Sequence, residues 1–105
     1  MVKLYDKDGK FLCNIGAMGN GPGEYPVTIY DVSIDERGGH IFLSLFYGKK
    51  IMMYGLDGKW IKDINLPGQI NKPKIEVNAD GTLSVVHMPF EEGTPIAFRM
   101  DTDGN

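Results

Sequence analysis

The sequence predicts an all-β protein, and three observations carry that reading. Glycine occupies 14 of 105 positions, about twice its usual share of ~7%, and falls between short β-branched or aromatic runs as hairpin punctuation does. No apolar period of 3.6 residues persists over ten or more positions. Pro22, Pro26, Pro67, Pro73, Pro89 and Pro95 cut the chain into pieces too short for stable helices.

Nine strands follow in order: Val2 to Asp6, Lys10 to Ile15, Thr28 to Ile34, His40 to Phe46, Lys50 to Gly55, Lys59 to Asn65, Pro73 to Val77, Thr82 to Met88 and Pro95 to Met100. The first two flank Lys7-Asp8-Gly9, a turn that wants positive φ. Ile41 to Phe46 is apolar on both faces, as burial between two layers requires, whereas Trp60 to Asn65 alternates and reads as half solvated.

The strands recur as a unit. Tyr5-Asp6-Lys7-Asp8-Gly9-Lys10-Phe11-Leu12 is echoed by Tyr54-Gly55-Leu56-Asp57-Gly58-Lys59-Trp60-Ile61 and by Met100-Asp101-Thr102-Asp103-Gly104-Asn105, with the Asp-Gly pairs 49 and then 46 residues apart. A second motif is interleaved: Ile34 to Ile41 is matched by Val77 to Leu83 about 43 residues on. A period of roughly 45 residues holding four short strands is that of a β-propeller blade, a four-stranded antiparallel meander. Thr28 to Asn65 then forms a complete blade, Val2 to Ile15 the outer hairpin of the blade before it, and Pro73 to Asn105 three strands of the next. The chain accordingly reads as about two blades, incomplete at both ends.

In an up-and-down meander successive connections fall on opposite rims. One set is tight: Lys7 to Gly9, Asp35 to Gly39, Leu56 to Gly58, Asn78 to Gly81 and Thr102 to Gly104. The other is irregular: Gly16 to Val27, Tyr47 to Lys49, Gly68 to Lys72 and Pro89 to Thr94. Binding residues concentrate on irregular loops held by a rigid scaffold, so a site belongs on the second rim.

The stretch Gly19-Asn20-Gly21-Pro22-Gly23-Glu24-Tyr25, with the repeated Tyr-x-x-Asp-Gly-Lys-aromatic hairpin, resembles six-bladed β-propellers of the NHL-like type found among bacterial secreted lipoproteins. The resemblance implies a ring several times longer than 105 residues, an extracytoplasmic setting and a lipoprotein signal, which this sequence does not display; it implies little chemistry, since such propellers mostly lack an assigned molecular function. Bare blade edges invite partners. The expected partners are the remainder of a longer propeller or further copies of this chain, three of which would close a six-bladed ring. In that ring Pro95 to Met100 competes with Val2 to Asp6 for one place.

Composition removes several function classes. With 11 Lys+Arg against 14 Asp+Glu and a net charge of -3, no basic stripe for nucleic acid is present. No apolar run approaches the ~20 residues of a membrane span, and no signal-peptide pattern opens the sequence. The single Cys13 permits no internal disulfide and, alternating with Phe11 and Ile15, reads as a packed thiol.

Catalytic and cofactor readings fare poorly. Gly16 to Gly23 lacks the Gly-Lys-Ser/Thr ending of a phosphate loop and precedes a strand where such a loop needs a helix. A calcium loop starting at Asp6 would need its bidentate Glu where Ala17 stands. His40 and His87 have no second ligand at zinc spacing, Ser44 and Ser84 sit in no nucleophile elbow, and Glu91 and Glu92 point apart in an extended segment. No metal, cofactor or catalytic residue is expected.

What remains is a contact surface on the variable rim: Tyr25, Tyr47, Lys49, Lys50, His87, Phe90 and Glu91, with Phe46 divided between surface and core. Aromatics mixed with charges suit a protein or glycan ligand. The sequence-level reading is a non-catalytic binding scaffold. Its alternatives are a propeller fragment without autonomous activity and part of a propeller hydrolase or lyase.

Overall fold

The computed structural model describes residues 2–88 and 96–103, and within them the chain is all-β. Strands β1 (Val2–Tyr5) and β2 (Phe11–Ile15) form an antiparallel hairpin. The next segment, read from sequence as wholly irregular, contains a short parallel ribbon of β3 (Ala17–Met18) and β4 (Glu24–Tyr25). The rest forms one six-stranded antiparallel sheet of β5 (Ile29–Asp35), β6 (His40–Leu45), β7 (Tyr47–Gly55), β8 (Trp60–Val77), β9 (Leu83–Met88) and β10 (Ile96–Met100), each paired with its sequence neighbour.

Two copies of the repeated Asp-Gly motif, at Gly9 and Gly58, and the turn of the interleaved motif at Gly81 close alike, while the third copy reaches Gly104, outside the described residues. Asp6, Gly55 and Asn78 N–H groups donate to the carbonyls of Lys10, Lys59 and Thr82 at 2.8–2.9 Å, with Gly9, Gly58 and Gly81 at φ of 82–86°. An aspartate carboxylate accepts a backbone N–H two residues on in each: Asp6 from Asp8, Asp57 from Lys59, Asp80 from Thr82. The backbone bonds are local and recur with the Asp-Gly pair, although the accepting carboxylate of the first turn is Asp6 and those of the others, Asp57 and Asp80, directly precede the glycine.

The largest departure from expectation is β8. Lys59 to Asn65 and Pro73 to Val77 were expected as separate strands around an irregular Gly68 to Lys72 connection, and Tyr47 to Lys49 as a loop; instead one strand runs through 60–77, and Tyr47 opens β7. Tyr47 and Gly48 pair with Asn71 and Ile70, and Asn71 pairs onward with Met88, so the crossover keeps its backbone groups in the ladder. Both prolines fall where the register jumps, Pro67 between Asn65 and Ile70 and Pro73 between Asn71 and Lys74, the positions at which a strand tolerates a missing N–H.

The six-stranded sheet folds over itself within β8. In a flat sheet β8 would lie three strand spacings, about 14 Å, from β5. Yet Ile75 N–H donates to Asp31 Oδ2 at 2.9 Å, and Ser44 Oγ donates to the Pro73 carbonyl at 2.8 Å. The second half of β8 therefore lies over β5 and β6, and two apolar layers result. Phe42, Ile51, Met53 and Ile64 pack against Ile75, Leu83, Val85 and Met100. On the opposite face Ile41, Leu43, Leu45, Met52 and Tyr54 pack with Ile15 and Tyr25, and Val2 and Leu4 of the first hairpin close over them. Every β6 residue from Ile41 to Leu45 is consequently buried, as its two-sided apolar composition predicts. Apolar side chains on outward faces, Tyr5, Phe11, Val32 and Ile34 among them, remain exposed.

Candidate binding site

The irregular rim is organised by Gly16 and Gly23. Gly16 stands at φ +64°, and a Cβ there would lie 2.6 Å from Tyr54 Oη and 2.8 Å from Tyr25 Cε1. Two tyrosine rings thus close on a position only glycine can occupy. Tyr54 Oη donates to the Gly23 carbonyl at 2.7 Å. Burial of this phenol, and secondarily the charges of Tyr25 and Asp63, push its pKa up to about 12. Tyr25 Oη donates to the Ile15 carbonyl at 3.3 Å and accepts from Val2 N–H at 3.4 Å.

Tyr25 therefore leaves the list of contact residues: at 1% exposure it belongs to the core between the first hairpin and β6–β7. Tyr47 is 46% exposed and stands between two adjoining hollows that share it and Val27. One is lined by Pro26, Val27, Leu45, Gly48, Lys49, Lys50 and Asn65 besides Tyr47; the other by Met18, Val27, Thr28, Phe46 and Tyr47. Lys49 is exposed at the first. Lys50 is half-buried and paired with Asp63 at 3.1 Å, a carboxylate that also accepts from Trp60 Nε1 at 3.0 Å.

Phe46, which sequence divided between surface and core, is 38% exposed. Its ring meets Tyr30 edge-on, with centroids 5.7 Å apart, and Lys72 Nζ lies 5.5 Å above it. Lys72 also donates its backbone N–H to the Phe46 carbonyl at 2.8 Å. Its φ of +49° makes it the one non-glycine with positive φ among the described residues, a conformation costing on the order of 1 kcal/mol in a β-carbon-bearing residue.

His87 lies on β9 at the same end of the sheet, beside the Tyr47, Asn71 and Met88 row. It is half-buried, its ring meets Phe98 edge-on at 5.8 Å, and its Nδ1 has no hydrogen-bond partner among the described residues. Phe90 and Glu91 lie outside the described residues. The structure thus groups Tyr47, Lys49 and Lys50 and adds Tyr30, Lys72 and Asn65, which sequence reasoning missed. Lys72 carried one faint signal, its place before Pro73, which disfavours right-handed helical backbone.

The residues weighed as nucleophiles are engaged elsewhere. Ser44 is fully buried against the Pro73 carbonyl, Ser84 Oγ bonds Asn78, and Cys13 Sγ donates to the Asp57 carbonyl at 3.5 Å. At the tight-turn rim Asp80 is exposed and is held below the usual carboxylate range by hydrogen bonds from Thr82 and, to a smaller extent, by Arg99. No cluster of three or more His, Cys, Asp or Glu suited to a metal ion occurs among the described residues.

In comparison with protein families, a family model described as a 6-bladed beta-propeller matches residues 2–82. No curated protein and no solved structure matches the chain.

Proposed function

The chain belongs to this six-bladed β-propeller family, and from that premise we propose that it is a non-catalytic binding scaffold whose irregular rim, centred on Tyr47, receives a protein or glycan. One observation carries the reading: Tyr47 is 46% exposed between two hollows, while its own strand continues into the fully buried Ile51 to Tyr54. A large amphipathic side chain on a rigid strand is well placed for contact, because little ordering entropy remains to be lost on binding.

A peptide and glycan array probed with the wild-type chain and with Tyr47→Ala tests this. The scaffold reading expects bound features that disappear in the variant while its melting temperature stays put. A wild-type chain that retains no feature refutes it.

The likeness of the Gly19 to Tyr25 stretch and the Asp-Gly hairpins to NHL-like lipoprotein propellers supports an extracytoplasmic setting as part of the same proposal. A second reading concerns partners of the sheet itself. Among the described residues β1 pairs only with β2 and β10 only with β9, and Tyr5, Phe11, Val32 and Ile34 stay exposed. Open ladder edges beside apolar faces favour covering by further propeller blades, from another copy or from a longer chain. Light scattering distinguishes the two: a trimer supports assembly between copies, and a stable, well-folded monomer rejects it.

A further inference from the structure

We propose that Asn20 is a site of self-modification: its side-chain amide is exchanged for a carboxylate through a cyclic imide closed by the Gly21 nitrogen, and the Glu24 carboxylate holds that closure back in the folded chain.

The site lies on the segment joining β3 to β4. Of Asn14, Asn20, Asn65, Asn71, Asn78 and Asn105, Asn20 alone is followed by glycine. A side chain on the following residue crowds the approach of its nitrogen to the asparagine Cγ, and glycine has none. Asn20 is exposed, and its amide has no hydrogen-bond partner among the described residues. Asn78, by contrast, is tied through its amide to Thr82 and Ser84. Water and hydroxide therefore reach an Asn20 amide that is free to turn toward its own backbone.

What stands against closure is Glu24. Gly21 N–H donates to Glu24 Oε1 at 2.9 Å. The loop is wrapped on this carboxylate: a Cβ at Gly21 would lie 2.5 Å from Glu24 Oε1, and one at Gly19 would lie 2.8 Å from Glu24 Cδ. Two backbone bonds close the wrap, Gly19 N–H to the Tyr25 carbonyl and Glu24 N–H to the Gly21 carbonyl, both at 3.0 Å. No cation pairs with Glu24 among the described residues, so its charge acts on the N–H it holds without a counter-ion between them.

The chemistry runs in two steps. Hydroxide takes the Gly21 N–H proton, the nitrogen bonds to Asn20 Cγ, and the Cγ–Nδ2 bond breaks, the leaving nitrogen taking a proton from water to depart as ammonia. Water then adds to either imide carbonyl and opens the ring, giving aspartate or its β-linked isomer. The Glu24 carboxylate opposes the first step twice over, because its hydrogen bond favours the protonated nitrogen and its negative charge disfavours the nitrogen anion. Either product adds a negative charge to the loop around Glu24. The β-linked one also lengthens the main chain between Gly19 and Gly21, the residues whose backbone bonds hold the loop to Tyr25 and Glu24.

The test follows the tryptic peptide 11–37, which holds both Asn14 and Asn20, by mass spectrometry after incubation of the folded chain at mildly alkaline pH. Asn14, followed by Ile15, is the internal control. The wild type is expected to gain about 1 Da at Asn20, slowly and as two products separable by chromatography. Glu24→Gln keeps an acceptor for Gly21 N–H and removes the charge. It is expected to react about tenfold faster, the effect of one pKa unit on the fraction of reactive nitrogen, with its circular dichroism unchanged. In concentrated urea with added salt the two chains are expected to agree within about twofold, because unfolding takes Glu24 away from Gly21 and salt screens what remains. Imide closure at the Asp-Gly turns loses and regains water, so it leaves the mass unchanged.

Equal rates in folded wild type and folded Glu24→Gln overturn the restraint by Glu24. A gain at Asn14 as fast as that at Asn20, or none at Asn20 in either solvent, overturns the site. Should Glu24→Gln fail to fold, the wild type decides: a folded rate about tenfold below the rate in urea supports the restraint, and equal rates overturn it.

Discussion

Replacing Tyr54 by Phe separates two contributions of one buried hydroxyl. At neutral pH the substitution removes the 2.7 Å bond to the Gly23 carbonyl and leaves that buried acceptor unpaired, which costs about 1–3 kcal/mol. At alkaline pH the effect reverses. Below pH 10 the phenol is protonated in the folded and the unfolded chain alike, so its stabilising contribution is fully present. Between pH 10 and the folded value of about 12 the unfolded chain releases the proton while the folded chain retains it, and stability falls as pH rises. A shift of two units corresponds to about 3 kcal/mol lost across that window. Tyr54→Phe has no such loss, so the difference between the two proteins at each pH reports the Tyr54 hydroxyl together with its charge coupling to Tyr25. Urea unfolding followed by far-UV circular dichroism, repeated from pH 7 to 12, is therefore expected to give curves about 2 kcal/mol apart at neutral pH that converge or cross by pH 12. Parallel curves would refute the assignment of the alkaline transition to Tyr54 and, with it, the buried tyrosine junction beneath the glycine-rich segment.

Gly16→Ala should lose about 2–4 kcal/mol, because positive φ and two tyrosine contacts below 3 Å combine, while Gly9→Ala, at similar φ with nothing within 4 Å, should lose only about 1 kcal/mol; thermal melting of the pair isolates the steric part. Asp31→Ala strands the Ile75 N–H and should cost about 1–3 kcal/mol in urea unfolding. A cost near zero would mean that the fold of β8 over β5 does not depend on that bond. Tyr25→Ala should lose about 3–5 kcal/mol and Tyr47→Ala under about 0.5 kcal/mol, so equal melting temperatures would contradict the division between core and rim.

What could be read directly from the sequence is what short-range chemistry controls. The Asp-Gly turns at Gly9, Gly58 and Gly81 close through bonds spanning two to four residues, so their repetition along the chain is repetition in space. The two-sided burial of β6 was equally legible, because Ile41, Phe42, Leu43 and Leu45 leave no face polar enough for water. Of the candidate site, Tyr47, Lys49 and Lys50 could be picked out as aromatic and basic residues near one rim, although the loop expected at Tyr47 to Lys49 is the start of β7.

Tertiary structure alone decided the rest. Tyr25 reads as a contact residue because an aromatic beside glycines looks the same folded in or out. It folds in because Ile15 and Val2, 10 and 23 residues away, meet its hydroxyl. The continuous β8 depends on Asn71 finding Tyr47 on one side and Met88 on the other, and the left-handed Lys72 depends on the Phe46 carbonyl. Local bonds form wherever their residues recur, but the partners of a crossover strand are set by which distant segments reach it, and the folding of the six-stranded sheet over itself is what brings them there.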